Sequence, residues 1–194
     1  DWARRAGDTW LEAHGVNLYL GAALFGPMPV EQAVERCLEF RRRHHDRQRI
    51  VASSVRALAV LRAMQGQFDD ARELVVLDRA ILSELGLRYQ TAAATEAYGL
   101  VELLAGDPET AERIVRVGYE QLTRMADTNA LPTIAALLGE ALVTLEQYDK
   151  ALAVTVEARQ HADADDLGAQ VQWRSAHAKA LAWLGRHKTA LRVA

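Results

Sequence analysis

The chain has 194 residues, half of them hydrophobic, with 23 basic and 26 acidic side chains and a formal net charge of −3. This balance of charge disfavours a general nucleic-acid surface, which needs a basic excess. The single cysteine excludes an internal disulfide and suits a reducing cytoplasm. The longest apolar run, at 16–28, is interrupted by Asn17 and Pro27 and is too short to cross a bilayer. We therefore expect a cytoplasmic protein with neither a membrane segment nor a nucleic-acid partner.

Turn signals divide the chain into short helical blocks, and each period of about forty residues holds two of them. Proline is scarce, while Ala, Leu, Glu and Arg are abundant, which favours helix. We predict first helices at 8–25, 48–65, 88–105, 129–145 and 167–184. Second helices are predicted at 28–45, 68–85, 108–126 and 148–163, with a last one starting near 187.

A six-residue phrase opens four of the second helices. Its copies are GQFDDA at 66–71, GDPETA at 106–111, EQYDKA at 146–151 and GRHKTA at 185–190. The glycine permits a sharp turn, and the alanine five positions later lets two helices approach closely. A matching small residue lies seven positions before the glycine position, at Ala59, Gly99, Gly139 and Ala178. The copy at Gly26 is degenerate, with Tyr19 at the small position.

This phrase and its small partner resemble the turn and the helix crossing of the tetratricopeptide repeat (TPR). The period is near 40 instead of about 34, so each helix carries about one extra turn. HEAT-type helix pairs have a similar length but would not explain the phrase. The resemblance implies an all-α solenoid of antiparallel helix pairs, wound as a right-handed superhelix. It implies a single repeat domain over 1–194, with repeats at about 8–47, 48–87, 88–127, 128–166 and a truncated 167–194.

Longer segments resemble the C-terminal repeat region of large bacterial signalling proteins that carry an adenylate or guanylate cyclase domain and an ATPase domain. The segments are RAMQGQFDDAREL, VELLAGDPETAER, AALLGEALVTLEQYDKAL and DDLGAQVQWRSAHAKALAWLGR. Related arrays occur in ATP-dependent transcription activators of the maltose-regulator type. The resemblance implies that this chain is a fragment of a longer protein and carries none of the parent's catalysis.

Motifs for catalysis or cofactor binding are not found in the sequence. GxxxxGK[ST], GxGxxG, GxSxG, HExxH and CxxC are all absent. We therefore expect no enzymatic activity, no cofactor and no metal. The stretch HADADD at 161–166 looks like a metal loop but lacks its closing glutamate, so Asp165 or Asp166 is expected to cap a helix. The basic cluster at 41–49 is more typical of a solvated helix end than of a phosphate site.

Two further residue types are assigned to packing. Cys37 has apolar helical neighbours and is expected to lie in the core. The four tryptophans are expected to pack between repeats in preference to forming a ligand cage; they are Trp2, Trp10, Trp173 and Trp183.

The first helices of tetratricopeptide arrays line a concave groove that usually holds a peptide, so the groove is the predicted site. Its side chains, taken from the position of the phrase, are Arg56, Glu96, Glu140, Gln172 and Lys179. The signs of charge are mixed, which disfavours capture of an acidic C-terminal peptide. We predict a non-catalytic interaction or regulatory scaffold that binds a protein segment, from a partner or from its own parent chain. The alternative is a small-ligand sensor in the same face, and a homodimer through the ends of the array is left open.

Overall fold

The computed structural model describes residues 9–194, apart from the side chains at positions 9, 10, 12–14 and 17. Throughout this part of the chain the regular elements are helices, with no strand. This confirms the all-α class. The helices are α1 Thr9–Phe25, α2 Val30–Arg43, α3 Gln48–Met64, α4 Phe68–Glu84, α5 Arg88–Ala93, α6 Thr95–Leu104, α7 Pro108–Arg124, α8 Leu131–Thr144, α9 Tyr148–His161, α10 Leu167–Trp183 and α11 His187–Val193.

The chain forms two compact units, residues 1–88 and 89–194. In the first unit, α3 packs against α1, α2 and α4. In the second, α8 packs against α6, α7, α9 and α10, and α10 also packs against α9 and α11. Within each unit, a first helix therefore contacts its own second helix, the second helix before it and a neighbouring first helix. The division falls at a predicted repeat boundary, and the single repeat domain stays a prediction.

One predicted helix, at 88–105, is divided into α5 and α6 at Ala94. The hydroxyl of Thr95 donates a hydrogen bond to the carbonyl oxygen of Ala92, at 2.7 Å. The same carbonyl oxygen faces Gly118 of α7, since a Cβ placed on that glycine would lie 2.7 Å from it. At the break, therefore, the Thr95 hydroxyl is hydrogen-bonded to a main-chain carbonyl oxygen, and this bond lies beside the close contact with α7.

Six helices within residues 48–185 end in the same turn, and this turn explains the repeated phrase. Its key residue has a positive φ, which is +75° at Gly66, +62° at Gly86, +77° at Gly106, +76° at Gly185, +52° at Ala126 and +59° at Glu146. At the first of them, the Gly66 N–H donates to Ala63 O and the Gln67 N–H donates to Arg62 O, both at 2.9 Å. This pair of bonds is the Schellman motif, which satisfies carbonyl groups at the helix end. It recurs about every twenty residues up to Glu146.

Glu146 occupies a conformation that favours glycine, so its replacement should stabilise the fold. A non-glycine residue in the left-handed region lowers the free energy of unfolding by about 1–2 kcal/mol. Glycine lowers it by about 0.5–1 kcal/mol, because it increases the entropy of the unfolded chain. We expect Glu146→Gly to raise the free energy of unfolding by about 0.5–1 kcal/mol, measured by urea denaturation. Gly106→Ala is the matched control and should lower it by about 1 kcal/mol. A loss of stability in Glu146→Gly would show that this turn does not depend on its φ angle.

Two predicted helix starts are confirmed by their caps. The carboxylate of Asp107 accepts a hydrogen bond from the Thr110 N–H at 3.0 Å, and Pro108 follows at the first helical position. The carboxylate of Asp166 accepts from the Ala169 N–H, also at 3.0 Å. Asp166 is thus the residue of the HADADD stretch that starts α10.

The small residues before each turn lie where a first helix crosses its second helix. A Cβ on Gly99 would meet the side chain of Val115, and a Cβ on Gly139 would lie 2.5 Å from the methyl group of Thr155. Ala59 is fully buried. The close crossing predicted from the sequence is therefore confirmed at Gly99 and Gly139.

Candidate binding surfaces

The predicted groove residues all lie on first helices, and the structure joins one pair of them. Arg56 lies on α3 in the first unit. The other four lie in the second unit: Glu96 on α6, Glu140 on α8, and Gln172 and Lys179 on α10. The two units are described separately below.

Glu140 and Lys179 form an ion pair between the neighbouring first helices α8 and α10. The Lys179 Nζ lies 2.5 Å from the Glu140 Oε1, and the two side chains are 48% and 33% exposed. An exposed pair of this kind contributes only about 0–1 kcal/mol to stability. Its main consequence is that two opposite charges stand side by side on a face that an incoming segment can reach.

Arg56 is held by a residue that sequence reasoning did not identify. Its Nε donates to the Oδ2 of Asp78 at 2.7 Å, and its Nη2 donates to the Oδ1 at 3.4 Å. The Asp78 side chain is fully buried, whereas that of Arg56 is 22% exposed. The guanidinium therefore neutralises a buried carboxylate of α4 through a two-point contact.

Gln172 presents an unsatisfied acceptor on α10. Its side-chain Oε1 is buried and has no hydrogen-bond partner within residues 9–194. Leaving such an acceptor unpaired costs about 1–3 kcal/mol.

A second polar contact in this unit joins α9 to α10. The Thr155 hydroxyl lies 2.8 Å from the His177 Nδ1, and it also lies 2.7 Å from the Ala151 carbonyl oxygen. Burial lowers the pKa of His177, and the positive charges of Arg159 and Arg186 lower it further. The neutral imidazole is therefore the form that suits the fold.

This pKa direction predicts an acid-sensitive contribution to stability. Because the folded state binds the His177 proton more weakly than the unfolded chain, stability is fully present above the ordinary histidine pKa of about 6.5. It should fall as the pH decreases through that value towards the lower folded pKa. We expect His177→Gln to reduce this loss, measured as the urea midpoint between about pH 7 and pH 5. An identical pH profile for the variant would contradict the assignment.

The tryptophans do not form a ligand cage in the described part of the chain. Trp173 is 5% exposed, its Nε1 donates to Gln170, and the Arg174 guanidinium lies 4.8 Å from its ring centre. The packing prediction is confirmed for Trp173. Trp183 is 70% exposed and lies parallel to Tyr148, with ring centres 5.8 Å apart. Trp2 and the side chain of Trp10 lie outside the described residues.

The first unit contains an open pocket of about 370 Å³ between the second helices α2 and α4, above α3. Four leucines and four charged side chains line it, and no predicted groove residue is among them. The sequence offered one signal for this site, the basic end of α2 at 41–43, which had been assigned to a solvated helix end.

The described residues show little that could carry covalent or metal chemistry. Cys37 is fully buried, and burial raises the pKa of its thiol to about 11, which disfavours the reactive thiolate. In the range covered by the structure, no three His, Cys, Asp or Glu side chains are grouped to hold a metal ion. The surfaces offer shape, charge and hydrogen-bonding groups for binding.

Comparisons with known proteins leave the family open. No protein-family model matches the chain, and no curated protein matches it either. Among residues 9–194, no helix combines the length and the apolar character that a membrane span requires. The function is therefore argued from the repeat and from the surfaces described above.

Proposed function

We propose that this chain is a tetratricopeptide-like repeat array that binds a protein segment and has no catalytic activity of its own. The observation that carries the proposal is the match between the repeated six-residue phrase and the turns that the structure shows at the same positions. The same Schellman turn follows the crossing glycines Gly99 and Gly139 at a fixed distance of seven residues. Packing of each first helix against both of its neighbours within a unit supports the same architecture. The proposed form is one right-handed superhelix over the whole chain.

The proposed role is that of a regulatory scaffold in a multidomain bacterial signalling or transcription-regulatory protein in the cytoplasm. The proposal rests on the resemblance of four segments to the repeat region of cyclase–ATPase proteins. The bound segment would come from a partner or from the parent's own domains, and it would need no cofactor.

The proposed binding face consists of the exposed side chains of the first helices. Glu140 and Lys179 supply adjacent charges of opposite sign, and Gln172 lies seven residues before Lys179 on the same helix. A segment with mixed polarity and main-chain N–H groups would complement this face. Burial of a peptide along such a row is the binding mode for which helical repeats are suited.

Capture of binding partners from a lysate of the source cell tests the proposal. We would compare the wild-type chain with Glu140→Lys and with the exchanged pair Glu140→Lys/Lys179→Glu. The exchanged pair keeps the bond between α8 and α10 but reverses both charges. We expect a specific partner on the wild-type chain and its loss from both variants. The control Glu84→Lys changes an exposed charge at the end of α4 and should retain the partner.

Equal capture by the wild-type chain and both groove variants would rule out this face as the binding site. The alternative function is a small-ligand sensor in the same face, in which Arg56 and Glu96 would be candidate ligand contacts. Because Arg56 is already bonded to buried Asp78, the observed geometry favours the segment-binding function.

A further inference from the structure

The pocket of the first unit is lined by residues of two second helices and of the first helix between them. Its two walls are α2 and α4, and α3 supplies its base. In the second unit, the corresponding second helices α7 and α9 are joined by a hydrogen bond from the Tyr119 hydroxyl to the Glu157 carboxylate. Leu77 stands two forty-residue periods before Glu157 and lines the pocket. At this position the first unit therefore has a leucine where the second has a carboxylate that bonds across the two helices.

Leucine side chains form the apolar part of the pocket. Leu58 of α3 is 2% exposed and lies at its base, and Leu38 and Leu74 are partly buried. Leu77 is 43% exposed at the wall of α4. This arrangement can bury an apolar group of a ligand, at about 25 cal/mol per Å² of apolar surface removed from water.

Arg62 of α3 provides a positioned cation in the lining of the pocket. Its Nη1 donates to the side-chain oxygens of Gln65 at 3.1 Å and Gln67 at 2.9 Å. These neutral acceptors fix the guanidinium without neutralising its charge, and they leave three of its five N–H donors. Arg41 of α2 adds a second cation and makes no ion pair with any described residue. An arginine with open donors is suited to a carboxylate.

Two carboxylates of α4 also line the pocket. Asp70 and Glu73 line the pocket, and neither forms an ion pair within residues 9–194. Although cations and carboxylates share one pocket, no ion pair joins them among the described residues. The pocket thus offers two cations, two carboxylates and four leucines.

We propose that this pocket binds a free dipeptide with apolar side chains. The ligand carboxylate would be held by Arg62 and Arg41, its ammonium group by Asp70 and Glu73, and its side chains by the leucines. The volume lies at the lower end of the range of about 300–1,000 Å³ for small-molecule sites. A dipeptide such as leucyl-leucine carries two apolar side chains to pack on the four leucines, whereas a single amino acid carries one. The inference does not depend on the binding of a protein segment by the first helices.

The test is an NMR titration of the isotope-labelled, full 194-residue chain with leucyl-leucine. We expect saturable shifts of backbone signals in α2, α3 and α4. Arg62→Gln should weaken binding by about tenfold or more, since it removes a charge-assisted contact. Leu77→Ala should also weaken it, and because Leu77 is 43% exposed this variant should fold normally. The matched control is Arg113→Gln, which changes an exposed arginine of the second unit and should bind like the wild-type chain.

Three further ligands determine which part of leucyl-leucine is recognised. Glycyl-glycine lacks the apolar groups, N-acetyl-leucyl-leucinamide lacks both charges, and leucine has one apolar side chain instead of two. Each should bind more weakly than leucyl-leucine. The proposal is overturned if leucyl-leucine causes no saturable shifts, if a truncated or blocked ligand binds as tightly, or if Arg62→Gln binds like the wild-type chain.

Discussion

Replacing Arg56 with methionine is expected to lower the free energy of unfolding by about 3–5 kcal/mol. The substitution keeps most of the apolar stem but removes the guanidinium that contacts both oxygens of Asp78. Because the Asp78 side chain is fully buried, its carboxylate then loses the two-point contact with Arg56 in a medium of low dielectric constant. The measurement is urea denaturation at neutral pH, followed by circular dichroism.

Two further variants make this result specific. Arg49→Met removes an exposed arginine from the same helix and should change stability by less than about 0.5 kcal/mol. The double variant Arg56→Met/Asp78→Leu removes both charges and should recover most of the loss, since an apolar pair can replace a buried ion pair. If Arg56→Met costs no more than Arg49→Met, the bond to Asp78 does not contribute to the fold.

The helices were predictable from the sequence because their ends depend on local chemistry. Glycine at 66, 106 and 185 marks a backbone that must adopt a positive φ, and Asp107 with Pro108 marks a helix start. Glu146 has no such chemical signal, and its turn was located only from the forty-residue period. The break at Ala94 was missed because it depends on contact between α5 and α7, which no local pattern encodes.

Side-chain partners were less predictable than helices. The sequence placed Arg56 in the groove by its position along α3, and nothing in that position indicated Asp78, 22 residues later on another helix. The facing positions of two helices depend on how each is rotated about its axis. For the same reason, the sequence could place Glu140 and Lys179 on the same face, but it could not show that they form an ion pair.

The pocket of the first unit illustrates the same limit. Arg41 belonged to a basic run that is typical of a solvated helix end, and Arg62 and Asp70 belonged to different helices. These residues line one pocket because α2 and α4 leave a gap between them, and no sequence pattern predicts such a gap. Its equivalent in the second unit is crossed by the Tyr119–Glu157 bond. Repeats with the same turns can therefore differ in the sites between them.

Gly118→Ala is expected to lower the free energy of unfolding by about 1–3 kcal/mol, against the usual preference of a helix for alanine. The new Cβ would collide with the hydroxyl of Thr95 and would lie 2.7 Å from the carbonyl oxygen of Ala92. Urea denaturation would measure the loss. Gly21→Ala is the matched control, because its Cβ would meet no atom of the described residues within 4 Å. That variant should gain about 0.5–1 kcal/mol.

The double variant Thr95→Ala/Gly118→Ala separates the two contacts of Gly118. It removes the clash with the hydroxyl, but the main-chain carbonyl of Ala92 cannot rotate away. We therefore expect it to remain less stable than Thr95→Ala alone. If Gly118→Ala instead gains stability as Gly21→Ala does, α7 does not approach Ala92 as closely as described. The division between α5 and α6 would then need a cause other than this helix contact.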